Sequence, residues 1–170
     1  MPAVLGFIGW HNAGKTTLAC AVVSHLVAKG YGVAVLKSTK EQGLVPEPPG
    51  TDTSRYAQAG AGGVALLGPD QLLIRRPAPD SADLPALARA CFPDADLVLV
   101  EGCKHADIPK IEVRRDPDSP LLSATVAGVL AVATDLPPAE PAERLRFGLH
   151  QSRELADFIE ARFLRKPEQP

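Results

Sequence analysis

The stretch Gly9-Trp10-His11-Asn12-Ala13-Gly14-Lys15-Thr16, followed by Thr17, decides how this chain is read. It satisfies G-x-x-x-x-G-K-[ST] in full. Before it runs the apolar segment Ala3 to Ile8, and after it Thr16 to Lys29 carries Leu18, Val22 and Leu26 at helical spacing and stops at Gly30. The order is strand, loop, helix, which is the context a phosphate-binding loop requires. Glycines let such a loop curl until successive backbone N–H groups point inward, and the helix adds its positive N-terminal end. Gly9, Asn12, Ala13 and Gly14 are therefore expected to hold phosphate oxygens through the backbone. Lys15 is expected to bridge the β- and γ-phosphates, Thr16 to offer its hydroxyl to Mg²⁺, and Thr17 to reach an α-phosphate oxygen. Trp10 and His11 have two readings, a lid over the nucleotide or exposed loop residues.

Working outward, Val33 to Leu36 is a second β-branched run after a three-residue connection, so it completes a β-α-β unit with parallel strands. Ser38 to Gly50 contains Gly43, Pro46, Pro48, Pro49 and Gly50 and reads as a long surface loop. Asp52 to Ala59 reads as a short helix. Val64 to Leu67 and Leu72 to Ile74 flank Gly68-Pro69-Asp70 as a hairpin that would make the sheet mixed. Leu84 to Cys91 is helical in pattern, Leu97 to Val100 is a buried strand, Lys110 to Val113 alternates like a strand, and Val129 to Val132 is the last apolar strand. Pro137, Pro138 and Pro141 mark a connection to a closing helix, Gln151 to Leu164, with Leu155, Phe158, Ile159 and Phe163 on one face. The fold class is α/β, a three-layer P-loop NTPase sandwich around a mostly parallel sheet with an inserted β-hairpin. One nucleotide-binding domain is expected over residues 1–165, with 166–170 a frayed tail.

A triphosphate loop also needs acidic partners for Mg²⁺, and the carboxyl end of a neighbouring strand is where they stand. Glu101 closes the apolar run Asp96-Leu97-Val98-Leu99-Val100, so it should emerge at the same edge as Lys15; its plainer reading is a solvated loop acid. Asp52 either caps the helix it opens or is carried by the proline-rich loop to the metal. Arg55 then pairs with Asp52 or leans toward phosphate. If the triphosphate is turned over, Lys15, Glu101 and Asp52 are the candidate catalytic residues, and Thr16, Asp52 and Glu101 the candidate metal ligands. Lys104 and Lys110 either solvate the surface or bind an anionic acceptor. No switch-segment Gln to position water and no arginine finger can be identified, so fast hydrolysis is not expected without a partner.

Composition narrows the setting. A chain of 170 residues with 45% apolar and 22% charged side chains has the balance of one folded domain. A net charge of −2 with scattered Lys and Arg argues against nucleic acid as a partner. Apolar runs fall short of the ~20 residues that span a bilayer. The start of the chain lacks the pattern of a secretion signal, so a cytoplasmic location is expected. Cys20, Cys91 and Cys103 show no C-x-x-C spacing and support neither a disulfide framework nor a zinc site. Cys20 reads as a small core residue on an apolar helix face.

With Gly9 to Thr17, Asp52-Thr53-Ser54-Arg55 before Ala59-Gly60-Ala61, Asp96 to Lys104 with its Glu101-Gly102-Cys103-Lys104, and Pro109-Lys110-Ile111-Glu112-Val113 in that order, the chain resembles the MobB family over residues 3 to about 135. That resemblance implies GTP as ligand, Mg²⁺ dependence, weak GTP hydrolysis, a homodimer, and an adapter role in molybdopterin guanine dinucleotide synthesis beside the guanylyltransferase that makes the dinucleotide. It also implies that Thr134-Asp135 meets the base, where a carboxylate accepts from guanine N1–H and N2–H₂, which adenine cannot match. One departure stands out: the histidine-rich stretch usual after the second strand is replaced by Lys37-Ser38-Thr39-Lys40-Glu41-Gln42. Two rival readings are a small-molecule kinase that passes the γ-phosphate to an acceptor, and a nucleotide-stabilised module without turnover.

Overall fold

β1 (Ala3–Ile8) and α1 (Lys15–Ala28) form as the apolar run and the helical spacing require, and the rest of the architecture is assembled around them. The structure is a computed structural model that describes residues 1–42, 44, 48, 50–78, 83–138 and 145–164. The expected tail 166–170, and Gly43, Pro46, Pro49 and Pro141 of the expected connections, lie outside the described residues. Within the stretch read as one domain, the described residues form two compact units, one made by residues 1–39 and those from 83 onward, the other by those between 40 and 82.

The first unit holds a six-stranded sheet. To β1 it adds β2 (Val33–Lys37), β5 (Leu97–Glu101), β6 (Lys110–Val113), β7 (Val129–Ala133) and β8 (Leu145–Phe147), in the order β2-β5-β1-β6-β7-β8. Every pairing in it is parallel. A parallel sheet buries both faces, which is why β5 is buried along its whole length and runs apolar from Leu97 to Val100 rather than alternating. One face sends Leu5, Phe7, Leu97, Leu99, Ile111 and Ala131 against Leu18, Val22 and Leu26 of α1 and Leu155 and Ile159 of α4 (Ser152–Phe163). The other sends Val4, Val98 and Val100 against Leu84 and Ala88 of α3 (Leu84–Cys91). Helix, sheet and helix make the three layers.

The second unit holds α2 (Asp52–Gln58) and the antiparallel pair β3 (Val64–Leu67) and β4 (Leu72–Arg75). These strands form a sheet of their own, so the hairpin exists but the main sheet is not mixed. Two strands joined by a tight turn pair with each other first, and nothing in their pattern compels a third neighbour. Two further points differ from expectation. Val129 to Val132, within β7, is the last apolar strand as expected, but an unexpected short strand, β8, adds an edge beyond it. Cys20 is exposed, not core: the buried positions of α1 are Leu18, Ala19, Val22 and Leu26, and two residues past Leu18 the helix has turned by about 200°.

α1 and α4 are also tied by charge. Lys29 donates to both Asp157 and Glu160, and the hydroxyl of buried Tyr31 donates to Glu160 at 2.9 Å. Hydrogen bonds from Lys29 hold both carboxyls below their ordinary values, with Tyr31 adding to the effect at Glu160. A lowered carboxyl value means stabilisation that is complete above the unfolded value, about 4, and lost as pH falls through the folded one. Lys29→Met should therefore lower the thermal midpoint at neutral pH, by a small amount because Asp157 is half exposed. Circular dichroism melts at descending pH should show variant and wild type converging below the carboxylate range; a constant gap would contradict the assignment. Among the described residues, no helix is long and apolar enough to cross a membrane.

Candidate functional site

All strands of the main sheet end at one edge, and their spatial order sets the residues at those ends in a row. Lys37 closes β2, Glu101 closes β5, Gly9 follows β1, Arg114 and Arg115 follow β6, and Thr134 and Asp135 follow β7. Residues far apart in the chain are thus spaced by strand separations of about 4.8 Å.

The loop after β1 depends on its glycines for a visible reason. A Cβ on Gly9 would stand 2.3 Å from the Val113 carbonyl oxygen, so no other residue fits beside β6. Gly14 has φ of 91°, in the left-handed region, and stands immediately before α1. Asn12 also has positive φ, a region asparagine tolerates. No side chain caps α1 and no acid lies in its first turn, so its positive end is left to whatever anion enters the loop. Here a cavity of about 450 Å³ is lined by residues 11–17 together with Lys37, Glu101 and Arg115. Gly9 is not part of that lining.

Lys15 Nζ donates to the carbonyls of Trp10 at 2.7 Å and Gly9 at 3.1 Å, folding back across its own loop. Burial lowers its pKa from the ordinary lysine value; Glu101 opposes this shift and Lys37 adds to it. Thr16 Oγ1 donates to Glu101 at 2.9 and 3.0 Å, and Lys37 Nζ donates to the same carboxyl at 3.1 Å. Glu101 is only 8% exposed, so it is an interior acid facing the loop rather than a solvated one. Thr17 is exposed on the cavity wall.

A hydroxyl and a carboxyl in contact are the hard oxygen donors that Mg²⁺ takes, and Mg²⁺ at nucleotide sites draws most of its shell from phosphate and water. Among the described residues no cluster of three or more His, Cys, Asp or Glu could hold a metal by itself. Thr16 and Glu101 therefore fit a Mg²⁺ that arrives with phosphate, not a resident metal.

Asp52 is the first residue of α2, in the second unit, with a side chain 90% exposed and 3.9 Å from Arg55. It does not cap the helix. Thr51 does, because the capping oxygen belongs to the last extended residue, and Thr51 Oγ1 accepts from Ser54 N at 3.3 Å. Arg55 pairs with Asp52 as one of its two readings supposed.

At the far end of the row, Thr134 is buried and its hydroxyl accepts from Leu136 N at 3.1 Å. Asp135 Oδ1 accepts from Leu149 N at 2.8 Å and lies 3.6 Å from His150 Nδ1. Arg115, Asp135, Leu136, Leu149 and His150 line a second cavity of about 460 Å³.

Trp10 is exposed, as one of its two readings supposed, and is held in place. Its indole N–H donates to the Pro120 carbonyl at 2.7 Å, and Lys104 Nζ lies 4.8 Å from its ring centre. His11 is exposed on the wall of the first cavity. Lys110 is not on the surface where an acceptor would meet it. It is 2% exposed, and its Nζ donates to the carbonyls of Ile108 at 2.8 Å and Ala127 at 2.9 Å, with burial lowering its pKa. Sequence reasoning missed two members of the row. Lys37 was open to the argument used for Glu101, since it too closes a strand at this edge. Arg115 carried no signal beyond following β6.

The family model described as "Molybdopterin guanine dinucleotide synthesis protein B" matches residues 4–135, from β1 to the acid after β7. A molybdopterin-guanine dinucleotide biosynthesis adapter protein of Haemophilus influenzae is 34% identical over 158 residues, covering 92% of this chain and 87% of that protein. Its Escherichia coli namesake is 32% identical over 145 residues, covering 81% of each. A solved MobB homolog from Bacillus stearothermophilus superposes with a TM-score of 0.71 at 25% identity, covering 93% of this chain and 95% of that one. A crystal structure of molybdopterin-guanine biosynthesis protein B gives 0.73 at 25% identity, covering 93% and 98%. Chains that agree in sequence and superpose over nearly their whole lengths share a family, and the present chain belongs to the MobB family.

Proposed function

We propose that this chain is a Mg²⁺-dependent GTP-binding protein with slow GTPase activity that acts as a cytoplasmic adapter in molybdopterin guanine dinucleotide synthesis. The observation that carries the reading is the row of groups on one sheet edge. It runs from Thr16 on Glu101, through a complete phosphate loop, to the carboxyl of Asp135. Gly9, Asn12, Ala13, Gly14, Lys15, Thr16 and Thr17 take the phosphates, Thr16 and Glu101 the Mg²⁺, and Thr134-Asp135 the base. Bound Mg²⁺ would neutralise charge on the β- and γ-phosphates. The chain's own task is to exchange partners: Lys15 leaves two carbonyls for phosphate oxygens, and Lys37 remains beside Glu101 as a second cation. Slow turnover is the expectation because no switch-segment Gln to position water can be identified in the sequence.

Homodimerisation is part of the proposal, with the guanylyltransferase of the pathway as the partner. In its favour, Leu66, Leu67, Leu72, Leu73 and Ile74 of the hairpin all stay exposed, on both faces of a two-stranded sheet too small to be stable uncovered. A monomeric mass in sedimentation equilibrium would remove this part.

The base assignment rests on Asp135. Hydrogen bonds to a charged group are worth about 1.5–3 kcal/mol each, so calorimetric titration should find GTP bound at least about tenfold more tightly than ATP. Asp135→Ala should abolish that preference by weakening GTP alone. Tighter binding of ATP by the wild type would overturn the guanine assignment. Incubation with labelled nucleotide separates the rivals, since phosphate on an added acceptor marks a kinase and unchanged nucleotide after long exposure to Mg²⁺ marks a module without turnover. The burial of Lys110 weighs against the kinase, which needed it at the acceptor site.

A further inference from the structure

Two adjacent arginines leave β6, and they have opposite fates. Arg114 donates to the carbonyls of Pro117 at 2.7 Å and Ser119 at 3.1 Å, closing the next turn. Arg115 is exposed and makes no hydrogen bond or ion pair among the described residues, although Asp116 is its neighbour in sequence. Asp116 is spent within the same turn, accepting from Ser119 Oγ at 2.7 Å and Asp118 N at 3.0 Å. The guanidinium of Arg115 instead lies against the start of α1: a Cβ on Gly14 would be 3.1 Å from its Nη2 and 3.5 Å from its Cζ. Among the described residues it alone lines both the phosphate-loop cavity and the Asp135 cavity. An uncompensated cation that keeps five donors beside a helix N-terminus, at the boundary of two cavities, has the chemistry to hold an anion that passes from one to the other.

We infer that Arg115 is a nucleotide-binding residue that grips the α-phosphate, at the junction between the phosphates in the loop and the nucleoside beside Asp135. The inference rests on the nucleotide-binding reading, and it separates Arg115 from Lys15 by which phosphate each one serves. Lys15 acts on the β- and γ-phosphates, so its loss falls hardest on the triphosphate. Arg115 meets a group common to GTP, GDP and GMP, so its loss falls on all three by a similar factor. A γ-phosphate arginine would be felt by GTP alone.

Trp10, the chain's only tryptophan, lines an adjoining cavity with Arg115, so its fluorescence follows binding directly. Wild type, Arg115→Ala, Arg115→Lys and Lys15→Ala should be titrated with GTP, GDP and GMP in the presence of Mg²⁺. Arg115→Ala should weaken each nucleotide by about tenfold to a hundredfold, the range for losing hydrogen bonds to a charged group. Arg115→Lys should fall between, keeping the charge but not the fork. Because Arg115 is exposed and unbonded, the nucleotide-free variants should melt with the wild type, which separates lost binding from lost folding. Wild-type affinity in Arg115→Ala, or a loss confined to GTP, would overturn the inference while leaving the parent reading intact. A wild type that binds no nucleotide would overturn both.

Discussion

Lys15→Ala should lose GTP affinity by about a hundredfold or more, about 3 kcal/mol, while melting no lower than the wild type without nucleotide. The two halves of that result have one cause. Without ligand, Lys15 is a partly buried cation whose hydrogen bonds go to two loop carbonyls, and burial already works against its charge. Removing it takes away a desolvated charge, and the carbonyls it leaves line an open loop where water replaces it. With a triphosphate, the same ammonium faces the highest charge density of the ligand, and nothing else in the loop replaces it. Calorimetry with GTP and a parallel thermal melt test both halves. Retained affinity would contradict the loop assignment, and a large drop in the free protein's melting temperature would show that Lys15 holds the loop together.

Glu112→Ala should be the most destabilising single change at this edge of the sheet, costing about 3–5 kcal/mol. Glu112 is fully buried in β6, and each of its oxygens accepts one backbone N–H at 2.8 Å, from Leu122 and from Ser123. Those two donors open a short 3₁₀ turn, Leu122–Ala124, whose Leu122 packs with Val126, Val129 and Ile8. Alanine leaves two buried N–H groups without acceptors and opens a void beside them. For a chain of this size each kcal/mol moves the melting temperature by about 2–4 °C, so a drop of about 10 °C is expected. Glu112→Gln should fall between, because its amide accepts through one oxygen and presents a donor to the second N–H. A midpoint within a degree or two of the wild type would remove the structural role of the acid in Pro-Lys-Ile-Glu-Val. Ile8 directly precedes Gly9, so the same change should also loosen the base of the phosphate loop.

The parts of the fold that are legible in the chain divide from the rest along physical lines. β1, α1, α3, β5 and β6 declare themselves because each repeats one pattern over several residues: Leu18, Val22 and Leu26 suffice for α1, and Leu97 to Val100 for β5. β8 has only Leu145, Arg146 and Phe147, too few to show a period, and becomes a strand because β7 offers it an unpaired edge. The hairpin is legible as a hairpin because its turn is local, whereas its failure to join the main sheet is a matter of partners that no local pattern records. Glu101 follows from its place at the end of a buried strand. Lys110 does not, because lysine at the start of a strand ordinarily reaches water, and only the carbonyls of Ile108 and Ala127 make burial tolerable. Arg114 and Arg115 are alike in sequence, and the turn that captures one and leaves the other is visible only in three dimensions.

The spatial order of the strand ends has a consequence for how recognition is divided. If the proposed function holds, the phosphates fall to the ends of β1 and β5 and the base to the end of β7, and β6 stands between them with Arg115. The ends of β1 and β7 lie two strands apart and make no direct contact with each other, so substitutions at Lys15 and Asp135 should be close to additive, with any coupling passing through Arg115. Base preference would then be a replaceable module: the carboxyl after β7 could be exchanged without disturbing the loop after β1, and selection could retune one end of the sheet while the other stays as it is.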